Sequence, residues 1–122
     1  MTGTAKVFQC SHHMQETSIT VATSIGSQYL LLYDGELWAT IDLGKSLMQR
    51  IVDVLESKAS GVVDNLYLHY VMDDRYLEGH YLEGFKLSVI YGGFGMGTVA
   101  AFLDVSDIGS MVDTLKVLRD RY

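Results

Sequence analysis

Residues 30–43, LLLYDGELWATIDL, and residues 87–105, LSVIYGGFGMGTVAAFLDV, decide how this chain is read. Each is a strand, a glycine-containing turn and a second strand, and each runs on into an amphipathic stretch. Leu37, Ala39, Ile41, Asp42 and Leu43 match Val99, Ala101, Leu103, Asp104 and Val105 at a constant offset in sequence. The chain therefore reads as one domain of two quasi-repeats, about 1–61 and 62–122, each a β-meander followed by a helix. Elements of this kind bury a sheet face under helices. The expected class is α+β: an antiparallel sheet of about six to eight strands with two helices packed on one face.

Outward from the first quotation, Ile19, Val21, Thr23 and Ile25 alternate with Thr20, Ala22 and Ser24, the period-two mark of a half-buried strand. Residues 5–10 form a shorter strand before it. Residues 29–33 are an unbroken apolar strand, and Asp34-Gly35 is the strongest hairpin signal, pointing to a type I′ turn. Leu37, Ala39, Ile41 and Leu43 then face inward. After Leu43 the period lengthens to about 3.6, placing Leu47, Met48, Ile51, Val52 and Leu55 on one helical face. Asp42 or Ser46 is placed to cap this helix, and Gly61 to end it.

In the second half, Leu66, Leu68, Tyr70 and Met72 alternate with Tyr67, His69 and Val71, so this strand has large side chains on both faces. The segment YLEGHYLEG repeats Tyr-Leu-Glu-Gly after five residues, and its glycines read as a bulged or irregular edge. Phe85, Leu87, Val89 and Tyr91 form the next strand, GGFGMG the connection, and Val99, Ala101, Leu103 and Val105 the return. A last helix buries Ile108, Met111, Val112, Leu115 and Leu118, with Asp104, Ser106 and Asp107 at its amino end.

Composition narrows the function. With 122 residues and 48% hydrophobic content the chain can build a full core, and it carries a net charge of −6. That charge opposes binding to phosphate backbones, which depends on Lys and Arg. A single cysteine, Cys10, excludes an internal disulfide, and the opening MTGTAKVFQ has no apolar signal core, so the expected location is the cytoplasm. No apolar run approaches membrane-spanning length, and no membrane partner is expected. Cys10, His12 and His13 offer metal-ligand types without the second cluster that a zinc site needs. No metal and no cofactor are expected.

The acids concentrate in residues 64–83, where Asp64, Asp73, Asp74, Glu78 and Glu83 stand against Arg75 alone. A surface of this sign attracts a basic partner and speeds encounter, or else serves as a solubilising edge. Glu78 and His80 fall on one side of an extended strand, where the carboxylate would favour the charged imidazolium. GGFGMG lacks the lysine of a phosphate loop and is followed by a strand, so Phe94 and Met96 read as apolar anchors at a loop tip. Six of the eight tyrosines lie in the second half. Trp38, Phe102, Tyr67, His69 and Val71 on the face that two helices leave open favour pairing with a second copy or a partner.

The expected function is therefore a small acidic protein-binding module without enzymatic activity. It would occupy a basic surface on a larger protein, as inhibitors carried by phages or mobile elements and toxin-immunity proteins do, with self-pairing into a homodimer. Its expected partner-binding residues are Asp73, Asp74, Tyr76, Glu78, His80, Tyr81, Glu83, Phe94 and Met96. No catalytic residues are assigned. The duplicated meander and helix are, in outline, similar to the nucleic-acid-binding folds of the PUR-repeat and Whirly families. That resemblance implies a sheet face that reads single strands with aromatic and basic side chains. A third reading places a small-ligand or catalytic pocket of a dimer beside Glu78 and His80.

Overall fold

The alternating segments form eight strands and the two 3.6-period segments form helices in a computed structural model that describes residues 4–10, 17–24, 26–73, 82–91 and 97–121. In chain order these are β1 (Thr4–Cys10), β2 (Thr17–Ser24), β3 (Ser27–Tyr33), β4 (Trp38–Asp42), α1 (Lys45–Ser57), β5 (Gly61–Val63), β6 (Leu66–Asp73), β7 (Leu82–Tyr91), β8 (Gly97–Asp104) and α2 (Val105–Asp120). The fold is mixed α+β. Four antiparallel strands and a helix follow one another twice.

The strands make two sheets of four, β1-β2-β3-β4 and β5-β6-β7-β8, and not the single sheet of six to eight strands expected from the sequence. Only Leu43 and Gly44 separate β4 from α1, so the first meander passes directly into a helix and not into a fifth strand. Each meander then twists as a separate sheet, and its apolar face must be buried against something else.

That burial is shared. In the first sheet Phe8, Ile19, Leu32 and Ala39 lie in one cross-strand row, and Val21, Leu30 and Ile41 in the next. In the second, Val63, Leu66, Val89 and Val99 form a row, Leu68, Leu87 and Ala101 another, and Tyr70, Phe85 and Leu103 a third. These rows meet Met48, Ile51, Val52 and Leu55 of α1 and Ile108, Met111, Val112, Leu115 and Leu118 of α2 in one core. Each such side chain contributes roughly 1.5–3 kcal/mol on leaving water. The helices lie side by side, and β8 lies against β1, β2 and β3.

Several local expectations change. The β3–β4 connection is a four-residue loop and not a type I′ turn: Asp34 N–H donates to Leu37 O, and only Gly35 within the loop has positive φ. The Asp34 carboxylate accepts from the N–H groups of Glu36 and Leu37, which fixes the loop from within. Leu37 consequently sits in the loop, 47% exposed, instead of facing inward. Gly44 occupies the N-cap of α1 without a side-chain cap, and Lys58 takes the left-handed position at its end. Gly61 belongs to β5, where an added Cβ would stand 3.0 Å from Val54. At α2, Asp104 is the N-cap residue and makes no side-chain cap. Its carboxylate accepts from the Ser106 hydroxyl, while Asp107 supplies the first-turn acid.

Candidate functional site

Antiparallel pairing alternates residues that exchange hydrogen bonds with residues whose N–H and C=O point away. Two bonds set the phase for β3 and β4: Leu43 N–H donates to Gln28 O at 2.9 Å and Asp34 N–H to Leu37 O at 3.1 Å. Ala39 and Ile41 therefore bond to β3, and Trp38, Thr40 and Asp42 turn their backbone groups outward. No hydrogen bond reaches those outward groups among the described residues. β4 is an open edge.

The other edges meet neighbours in part. β1 lies against β8 and α2, and β5 lies against α1. Where β5 stops short, the Ser60 hydroxyl accepts the N–H of Tyr70 at 3.0 Å. On β8, the outward N–H of Phe102 donates to the Thr17 hydroxyl at 3.1 Å. Phe102 itself is buried, so it does not belong to an open face as expected; β8 is sandwiched against the first sheet.

Beside the β4 edge an open cavity of about 530 Å³ is lined by Thr40, Ile41, Asp42, Leu47, Asp64, Asn65, Val89 and Ile90. Its walls are apolar on the β7 and α1 sides and carry two carboxylates, Asp42 and Asp64, with no lysine or arginine. Asp64 bonds Arg50 at 3.2 Å, an exposed pair worth little in stability. On the outward face of β4, Trp38 is 56% exposed and stacks on Tyr33 with ring centroids 4.4 Å apart. Tyr29, Leu31 and Tyr33 occupy the same face of β3, with Val7 exposed on β1.

Most of the partner-binding residues expected from the sequence, Asp74, Tyr76, Glu78, His80, Tyr81, Phe94 and Met96, lie outside the described residues. Their points of attachment are nonetheless fixed. Residues 74–81 join β6 to β7 and residues 92–96 join β7 to β8, at opposite ends of a ten-residue strand that spans roughly 30 Å. Asp73 closes β6 opposite Leu82. Glu83 is half-buried, and its carboxylate accepts the Tyr70 hydroxyl, which ties it to its own sheet. Tyr67 and His69 are exposed on the outward face of β6, with His69 Nδ1 3.2 Å from the Ser60 hydroxyl. No group of three metal-ligating side chains stands together among the described residues, and the side chains of Cys10, His12 and His13 are outside them.

Sequence reasoning missed the β4 edge. Trp38, Thr40 and Asp42 carried a signal, alternate exposed residues in a strand of only five, but whether a strand is an edge depends on its neighbours. A scan against protein-family models finds no match, and neither does a search of curated protein sequences. Among the described residues no helix is long and apolar enough to cross a membrane.

Proposed function

We propose that this chain is a small protein-binding module, without catalytic function of its own, that occupies a basic surface on a larger partner in the manner of an inhibitor or immunity protein. The observation that carries the reading is the β4 edge: free backbone groups beside a cavity whose only charged walls are Asp42 and Asp64. Apolar wall, carboxylate rim and exposed Trp38 together suit a cationic protein surface, with charge setting encounter rate and specificity. The acidic residues 64–83 extend the same sign along the chain.

Affinity capture from lysate tests this. A partner retained by the wild-type chain should be lost at least tenfold with Asp42→Lys/Asp64→Lys or with Asp73→Lys/Asp74→Lys/Glu78→Lys, and retention should fall with added salt. Capture indifferent to both charge reversals and to salt overturns the reading.

A second reading, a single-stranded nucleic-acid binder, is favoured by the repeated order of four strands and a helix and by the uncovered Tyr29, Tyr33 and Trp38. Base stacking on such residues is a general mode of strand binding. Quenching of Trp38 fluorescence by oligothymidylate would support it; unchanged emission at moderate salt removes it.

A further inference from the structure

We propose that the open edge of β4 takes up an extended segment of the partner as an added antiparallel strand, and that this segment alternates apolar residues with lysine or arginine. The proposal rests on the reading of the chain as a protein-binding module and names the chemistry of its partner. Strand addition needs an edge with unused donors and acceptors, pockets for alternate side chains, and access. β4 has all three. Trp38, Thr40 and Asp42 present backbone groups at successive ladder positions, each with an exposed side chain. An added strand alternates between the two faces of the sheet as β4 does. Residues level with Trp38, Thr40 and Asp42 stay on the outward face, where Asp42 favours a cation. A residue level with Ile41 turns into the cavity, against Ile41, Leu47 and Val89.

Charge selects the occupant. Asp34 and Glu36 lie at one end of β4 and Asp42 and Asp64 at the other. A second copy pairing antiparallel through β4 would bring the Asp34 and Glu36 end of each chain against the Asp42 and Asp64 end of the other, each chain carrying a net charge of −6, and such repulsion acts over a Debye length of roughly 8–10 Å. A cationic strand meets no such opposition. Open edges are ordinarily blunted by charge, proline or a covering element. Among the described residues, Phe102 of β8 has a cover that Thr40 of β4 lacks.

Trp38 is the only tryptophan in the chain, so its emission reports on this edge directly. The probe is a short capped peptide of alternating lysine and valine. It should shift Trp38 emission saturably, and a lysine/valine peptide with the same composition in two blocks should bind at least tenfold more weakly. Methylating the backbone nitrogens of either the lysines or the valines should abolish binding in one case and spare it in the other, because one edge of the added strand faces β4. Binding that survives both methylations, or is lost with both, overturns the proposal.

On the protein, Thr40→Pro removes an outward N–H while leaving the bonds to β3, since proline is tolerated on the open side of an edge strand. Together with Asp42→Lys it should weaken the peptide at least tenfold; wild-type affinity in both overturns the proposal. Should Thr40→Pro fail to fold, Asp42→Lys and the methylated peptides still decide. A wild-type dimer in sedimentation that Thr40→Pro converts to monomer, with no peptide binding, overturns it in favour of self-pairing. Failure of the peptide while lysate capture still collapses on acid reversal removes the strand site and leaves the binding-module reading standing.

Discussion

Thr40 in β4 and Phe102 in β8 hold the same place in their respective units, yet one is at an open edge and the other is capped. The equivalence follows from register: Ala39 pairs with Leu32 as Ala101 pairs with Leu87, and Tyr29 pairs with Asp42 as Gly84 pairs with Asp104. Within that common frame the two edge positions differ. Phe102 is buried and its N–H reaches Thr17 of the first sheet, while Thr40 is exposed and makes no outward hydrogen bond among the described residues. A repeated frame thus leaves Thr40 open where it buries Phe102, and the unit with the open position also carries the exposed Trp38.

The largest test of this comparison asks whether the two units share one core. Leu32 and Leu87 are equivalent and both fully buried. Leu32→Ala and Leu87→Ala should each cost about 2–5 kcal/mol, and unfolding by urea should remain a single transition in both variants. Two separated transitions, with each substitution moving only one of them, would break the picture of rows from both sheets meeting both helices.

Next in size is the position where the units differ most sharply in backbone. Tyr29 of the first unit is replaced by Gly84 in the second, and a Cβ at Gly84 would come within 2.0 Å of Leu103 O and 2.9 Å of the Phe102 ring. The close approach of β7 to β8 at this point, with Gly84 at φ +157°, leaves no room for a side chain. Gly84→Ala should cost about 3 kcal/mol, at the upper end for overpacking, measured as a fall in melting temperature. Tyr29→Ala, on an open face, should stay within about 1 kcal/mol. Equal effects at the two sites would mean that the units are packed alike after all.

How far the residues themselves foretold this is instructive at particular places. The inward faces of both helices were legible because a 3.6 period is local: Met48, Ile51, Val52, Leu55, Ile108, Met111, Val112, Leu115 and Leu118 are buried, and Leu47, expected with them, is half-buried against the same core. The strands were legible by alternation, except for the three-residue β5, too short to show a period. What could not be read was pairing between distant strands. Alternation says that Trp38, Thr40 and Asp42 face one way, but not that no described strand pairs beside them, nor that β8 crosses three strands of the other half. The acidic segment drew attention because charge is visible in a linear chain. An open edge is visible only in space.

The smallest predicted effect isolates a polar pair that fills one unit and fails in the other. Glu83 accepts the hydroxyl of Tyr70, and the equivalent positions in the first unit are Gln28 and Val21. Valine offers no donor, and the Gln28 side-chain oxygen is buried without a hydrogen-bond partner among the described residues. A buried acceptor left unmade costs more than a made one contributes, so removing it should help. Gln28→Leu is expected to raise stability by roughly 0.5–1 kcal/mol, whereas Tyr70→Phe, which removes the hydroxyl that meets Glu83, should lower it by about 1 kcal/mol. Chemical denaturation of the two variants reads both signs. A loss on Gln28→Leu as large as that on Tyr70→Phe would show that the Gln28 amide is satisfied, and that the units solve this position equally well.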